Sequence, residues 1–309
     1  MPALLAALLA LCAAASNAAT PEAGAAPEAR ARHGFLWEAR KGERHALLMG
    51  TLHVGLESDY PPDRSIRQRL DAVDVIVLEA DISQARSAEE ALRARAMYAP
   101  GAPGLDTRID AGLKADTQRA LERVGFPPES AWRMKPWMLG STLVVLQAAK
   151  LGYSPAYSTE AYLVSLAGDS GKPIAELEGI DAQFQMMDAQ PWNEQVDGLR
   201  QAVGSILDGE AAQELKALVA AWRDSDTAAM NEYQQHERDS SDPAERRQFE
   251  RMIAGRNATM AESIDRLLQD GRSYLVAVGS LHFFGADGLV ERLRARGYTV
   301  TPVVPGPDR

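Results

Sequence analysis

The apolar positions of this chain fall into short continuous runs of strand type and longer stretches of helical period. Near the start, Gly34–Ala39 (GFLWEA) and Arg44–Gly50 (RHALLMG) are short apolar runs flanking the polar, glycine-containing Arg40-Lys41-Gly42-Glu43, which predicts a β-hairpin. Beyond a loop with Pro61 and Pro62, Ile66 and Leu70 stand four apart within Ser65–Ala72 and predict a helix. Val73–Leu78 is a β-branched run of strand type, closed by Glu79-Ala80-Asp81. Strand, loop, helix, strand is the order of a βαβ unit, whose crossover makes the two strands parallel and brings their carboxyl ends to one edge. His53 and Glu79 are therefore expected to be neighbours.

From Ser87 to Leu151 the period turns helical, over Glu89–Met97, Leu113–Val124 and Trp137–Leu151, and Tyr162–Ser170 continues it. Pro173–Leu177 (PIAEL) is a third run of strand type, ending at Glu178-Gly179. Residues from about Ala182 to Leu268 read as helical without a strand, an insertion expected to cover or lid a sheet. Alternation then resumes with helix Ala258–Leu268, strand Tyr274–Gly279, helix Leu289–Arg296 and strand Tyr298–Val304. The expected fold is one α/β domain over residues 33–309, with a mixed sheet core built from its N- and C-terminal parts and a large α-helical middle region.

Composition adds a compartment. Residues 1–20 carry no charged side chain, the apolar run Ala3–Ala15 is too short to span a membrane, and Ser16-Asn17-Ala18 fits a small-x-small cleavage site. Residues 1–18 are read as a secretory signal peptide and residues 19–32, rich in Ala, Pro and Glu, as a disordered lead-in, so the expected location is periplasmic or secreted. The single cysteine, Cys12, lies in the leader. Without it there is neither a disulfide nor a thiol nucleophile, and any metal site must use nitrogen and oxygen ligands. With 33 basic against 43 acidic residues the net charge is −10, which argues against a nucleic-acid or anionic-membrane partner. No second apolar stretch reaches membrane length, so no membrane span is expected after leader removal; the pattern does not set an oligomeric state.

The candidate chemistry sits where strands end. Gly50-Thr51-Leu52-His53 and Gly279-Ser280-Leu281-His282 each follow an apolar strand, so each puts an imidazole just past a strand's carboxyl end, the edge where open α/β sheets bind ligands. The glycines suit a tight exit from the strand, because glycine tolerates backbone angles strained for other residues. The chain has only five histidines, and two of them share this frame. His33, His45 and His236 lie in settings that read as structural or solvated. Two imidazoles and the Glu79 carboxylate are the ingredients of a divalent-metal site that polarises a carbonyl and activates water. The same residues also suit metal-free hydrolysis, with one histidine as general base oriented by Glu79 and the other stabilising an oxyanion. Asp81 competes with Glu79, Glu178 ends its own strand with Glu176 two residues earlier, and Arg256-Asn257 at a helix start suit a substrate carboxylate. There is no Gly-rich phosphate loop, no Gly-x-Ser-x-Gly elbow and no His-Glu-x-x-His.

GTLHVG and VAVGSLHFFG, with VIVLEAD around Glu79, MKPWML at Met134–Leu139, ELEGIDAQ at Glu176–Gln183 and GRN at Gly255–Asn257, resemble the TraB/PrgY/GumN family in its bacterial GumN-like branch. The resemblance implies a core shared with the Tiki proteases, described as metal-dependent peptidases, and more distantly with erythromycin-esterase-like proteins. It implies a site of His53, Glu79 and His282, with Arg256 close behind; by their own positions Asn257 and Glu178 are expected toward the substrate, and the expected cofactor is a divalent Mn, Co or Zn ion. The first expectation is a metal-dependent peptidase acting on an extended peptide. The alternatives are a metal-independent esterase-type hydrolase using the same residues and a non-catalytic protein that binds a peptide, another small molecule or a metal.

Overall fold

A computed structural model describes residues 34–81, 83 and 94–304. The expected signal peptide and lead-in, Cys12, His33 and most of the expected Glu89–Met97 helix lie outside the described residues. The chain opens with β1 (Phe35–Lys41), β2 (Arg44–Thr51), α1 (Arg64–Asp71) and β3 (Val75–Leu78). Next come α2 (Ala111–Val124), α3 (Pro136–Lys150), α4 (Thr159–Ser170) and β4 (Ile174–Glu176). The helices α5 (Ile180–Asp188), α6 (Trp192–Asp208), α7 (Glu210–Arg223), α8 (Thr227–Arg238), α9 (Pro243–Phe249) and α10 (Gly255–Leu267) follow. The chain then runs through β5 (Ser273–Gly279), α11 (Leu289–Ala295) and β6 (Thr299–Pro302). Among the described residues no helix is long and apolar enough to cross a membrane.

The fold is α/β, with a six-stranded mixed sheet in the order β4-β3-β5-β2-β1-β6. The hairpin β1–β2 turns through Gly42, whose φ of +60° suits glycine at a two-residue hairpin turn. Strands β2, β5, β3 and β4 run parallel, whereas β1 lies antiparallel to both β2 and β6. The last strand of the chain to join the parallel part, β5, lies between β2 and β3. Its residues Tyr274–Val278 are all buried, as expected of a central parallel strand covered on both faces. One face packs Leu47, Met49, Ile76, Leu78, Leu275 and Ala277 against Ile66 and Leu70 of α1 and Leu163 and Ala167 of α4. Ile66 and Leu70 meet the sheet together because residues four apart share a helix face.

The chain divides into two compact units, one made of residues 82–156 and 180–217, the other holding the sheet with residues 157–179 and 218–304. Residues 182–268 are helical, yet this stretch is shared between the units, because an amphipathic period reports a buried face without naming its partner. In the first unit Leu113, Leu121 and Val124 of α2, Leu139 and Leu143 of α3 and Leu199, Val203 and Ile206 of α6 are buried. The MKPWML stretch opens α3, with Pro136 in its first turn and the Trp137 ring centroid 6.0 Å from that of Phe184.

In the second unit the end of α7 holds the segment that carries His53. Trp222 Nε1 donates to the Gly50 carbonyl at 2.8 Å, and Arg223 donates to the buried Asp59 carboxylate at 2.8 Å. Asp59 Oδ2 in turn accepts from the Leu56 amide at 2.8 Å. Gly34, at φ +61°, lies so close to the Trp222 indole that a Cβ there would stand 2.5 Å from it. Trp222→Phe removes the indole donor that ties the end of α7 to the end of β2, while the Gly50 carbonyl keeps its place in the β1–β2 ladder opposite Phe35, so a loss of about 0.5–1.5 kcal/mol is expected. Urea unfolding followed by circular dichroism should show a lower midpoint for this variant and an unchanged one for Trp192→Phe, whose ring is exposed.

Candidate active site

The parallel register decides which side chains meet. Thr51 pairs with Gly279 and Leu78 with Ala277, so the chain leaves β2, β3 and β5 at one edge. A Cβ placed on Gly279 would lie 3.2 Å from Glu79 Oε1, 3.6 Å from His282 Cδ2 and 3.7 Å from His53 Nε2. The three residues expected from the sequence thus surround one point, with β5 between the strands that carry His53 and Glu79.

The two Gly-x-x-His motifs interlock through their second residues. Ser280 Oγ donates to the Thr51 carbonyl at 2.8 Å, and a Cβ on Gly50 would stand 2.8 Å from that hydroxyl. Strained angles are not the reason for these glycines: Gly279 has φ −47°, and Gly50 is not among the residues with positive φ. Close approach of the neighbouring motif requires them.

His53 is held by a residue the sequence did not single out. The Leu52 amide donates to Thr159 Oγ1 at 3.1 Å and the Thr159 amide to the Leu52 carbonyl at 3.0 Å, joining the His53 segment to the start of α4. Ser158 caps that helix by accepting from the Ala161 amide, and Glu160, in the first turn, places Oε1 2.8 Å from His53 Nδ1. Burial raises the Glu160 pKa, but the pull of His53 and its hydrogen bonds outweigh burial, and the net shift is downward. The Ser158-Thr159-Glu160 run shows a helix start in the sequence; nothing local shows that Glu160 meets a histidine over a hundred residues earlier. Within the cluster His53 is the more accessible imidazole, its side chain 12% exposed against 2% for His282.

Arg256 is the hub of the remainder. A π-helical turn, Glu250–Ala254, leads into α10, and Gly255 permits it, since a Cβ there would stand 2.9 Å from the Glu250 carbonyl. Arg256 Nε donates to Glu178 Oε1 at 3.0 Å, and Nη2 donates to Glu178 Oε2 and Glu79 Oε2, each at 2.5 Å. Nη1 donates to the Met252 carbonyl at 2.8 Å and lies 3.2 Å from His282 Nε2. These contacts use all five N–H groups of the guanidinium, so none is left for the substrate carboxylate that the sequence suggested. Burial lowers the Arg256 pKa, and Glu79 and Glu178 more than reverse it.

Glu79 Oε1 accepts from the Gly279 amide at 2.7 Å. Burial raises its pKa, yet Arg256 above all, then His282, His53 and that amide, bring it to about 2, so it is a carboxylate at neutral pH. Burial first, and then Arg256, lower the His282 pKa to about 3. His282 Nδ1 lies 2.6 Å from Asn257 Oδ1, while Asn257 Nδ2 donates to the Asp287 carbonyl at 3.0 Å. Asn257 is thus buried behind His282 rather than facing a substrate, and Glu178, 19% exposed, is the outer edge of the cluster. Asp81 enters differently, through its amide, which donates to Glu176 Oε1 at 2.5 Å.

Two imidazoles and a carboxylate suit a divalent ion in kind. As arranged they do not fit one: both Glu79 oxygens and both His282 nitrogens face protein partners, and the Arg256 guanidinium fills the cation's place beside them. Among the described residues no group of three or more His, Cys, Asp or Glu side chains is placed to hold a metal.

Residues 35–302 match the TraB/PrgY/gumN family. The chain belongs to that family. The TraB/PrgY/gumN match spans the whole sheet and every member of the cluster. Similar curated proteins are the uncharacterized protein YbaP of Shigella flexneri and that of Escherichia coli strain K12, each 25% identical over 259 residues, covering 82% of this chain and 89% of theirs. No solved structure matches the chain.

Gly50→Ala brings a Cβ within 3.3 Å of the Ser280 backbone and should cost about 1–3 kcal/mol by overpacking. Arg256→Met strands two carboxylates around a buried space and should cost about 3–5 kcal/mol, partly recovered when Glu79→Gln is added. Urea midpoints of the single and double variants check both; a midpoint for Arg256→Met equal to that of the parent chain would mean that the hub does not hold the site.

Proposed function

We propose that this TraB/PrgY/gumN family member is a periplasmic or secreted hydrolase of esters or amides, in which His53, oriented by Glu160, is the general base on water. The observation that carries this reading is the Glu160 Oε1 contact to His53 Nδ1 at 2.8 Å, with Nε2 turned toward the point it shares with Glu79. A carboxylate that accepts from Nδ1–H leaves the lone pair on Nε2, the arrangement a general base needs. Taking a proton from water converts His53 to imidazolium, and Glu160 and Glu79 on either side stabilise that charge. Water, rather than a side chain, is the nucleophile. The leader-like residues 1–18 support export, and the carboxyl edge of a parallel sheet is where α/β folds take ligands, which supports a peptide or another small molecule as substrate.

The metal-dependent peptidase implied by the family differs from this reading in one measurable respect. The chain from Ala19 onward is to be assayed on p-nitrophenyl esters and a peptide library, after chelation and again with Mn²⁺, Co²⁺ or Zn²⁺. Turnover is expected to survive chelation, to fall about 10²–10⁴-fold in His53→Ala and to fall strongly in Glu160→Gln. Turnover that chelation abolishes and a divalent ion restores would replace the base mechanism with the metal-dependent one. Stabilisation by a peptide without any product would make the protein a binding protein instead.

A further inference from the structure

We infer that the two matched histidines do different work: His282 is a positioning residue, neutral and protonated on Nδ1, that holds the Arg256 guanidinium against Glu79, and only His53 is reactive. The role of His53 rests on the hydrolase reading; that of His282 does not.

The proton on His282 is located by two neighbours. Asn257 Nδ2 donates to the Asp287 carbonyl at 3.0 Å, which turns Asn257 Oδ1 toward His282 Nδ1 at 2.6 Å. An amide oxygen only accepts, so Nδ1 must carry the hydrogen. Flipping the amide would set its oxygen against the Asp287 carbonyl, two acceptors facing each other. On the other side of the ring, Arg256 Nη1 lies 3.2 Å from Nε2. A guanidinium never accepts, so Nε2 must present its lone pair. Both neighbours demand the same tautomer.

The consequence is that the Nε2 lone pair is already in use. It can neither take a proton from water nor ligate a metal without giving up Arg256, and an imidazolium there would set N–H against N–H beside a like charge. Met252 and Glu178 fix the rest of the guanidinium, so the His282 bond sets the angle at which Nη2 meets Glu79 Oε2. Glu79 Oε1 is one of the groups facing the shared point near His53 Nε2. An imidazole suits this post because it is a rigid ring with a donor at one edge and an acceptor at the other. The sequence symmetry of the two motifs thus records a shared place at the strand exits and a shared close approach at the glycines, not a shared chemical duty.

The test reads the tautomer directly. Two-bond ¹H–¹⁵N spectra of the chain labelled at histidine, with His282→Gln used to assign its signals, are expected to show His282 as the neutral Nδ1–H form at pH 7.5. Asn257→Asp, which retains an acceptor, should preserve that form, and Asn257→Leu should lose it. His282→Gln, which can offer a carbonyl oxygen to Arg256, should keep a higher melting temperature than His282→Ala and at least tenfold more turnover on any ester that the parent chain cleaves. A His282 signal in the Nε2–H or doubly protonated form, a shift of His282 Nε2 on adding Zn²⁺, or a Gln variant no better than Ala would each overturn the assignment. Should no substrate be cleaved while His282 shows the Nδ1–H tautomer, the hydrolase reading fails and the brace stands.

Discussion

A buried guanidinium shared by two carboxylates and an imidazole is the interaction on which the rest of this site depends. Arg256 joins the ends of two strands, through Glu79 and His282, to the residues just past a third, through Glu178. A lone arginine would be costly at that depth, and a lone Glu79 would be too; each is tolerable because the other is there. Its five donors leave no direction of the fork unspent, which fixes the Glu79 carboxyl in position and orientation. The π-helical turn before α10 and the closeness of Gly255 to Glu250 are the backbone arrangement that delivers the guanidinium to that place.

Around this hub the fold uses close approach where a larger residue would separate the parts. Ser280 reaches the Thr51 carbonyl only because Gly50 has no side chain, and Gly279 leaves the room in which Glu79, His53 and His282 come together. The end of α7 holds the same segment from outside the sheet, with Trp222 on the Gly50 carbonyl and Arg223 on Asp59. His53 is therefore located from three directions: by its own strand, by α4 through Thr159 and Glu160, and by α7. Such multiple fixing is what a general base requires, since small displacements of a reacting group cost large factors in rate.

A charged network of this kind also sets the protonation states on which chemistry rests. Glu79 and Glu160 are both buried and both held as carboxylates, each by a cationic or hydrogen-bonding partner that outweighs desolvation. His282 is kept neutral by burial beside Arg256. Two carboxylates near His53 and a neutral histidine behind them make the environment of the two imidazoles opposite in sign, although their sequence motifs are alike.

The sequence by itself determined the elements and the family. Short apolar runs and stretches of helical period placed all six strands and the helices flanking them, Gly-x-Leu-His marked both strand exits, and the order of motifs identified the TraB/PrgY/gumN fold. Such features are local, so spacing along the chain reveals them. Tertiary structure alone decided that β5 enters between β2 and β3, that Glu160 rather than Glu79 holds His53 Nδ1, and that Arg256 bonds inward instead of outward. Those outcomes depend on which donor reaches which acceptor across one to two hundred residues. Hydropathy and residue type say that a buried polar group must have a partner, and only packing says which one it has.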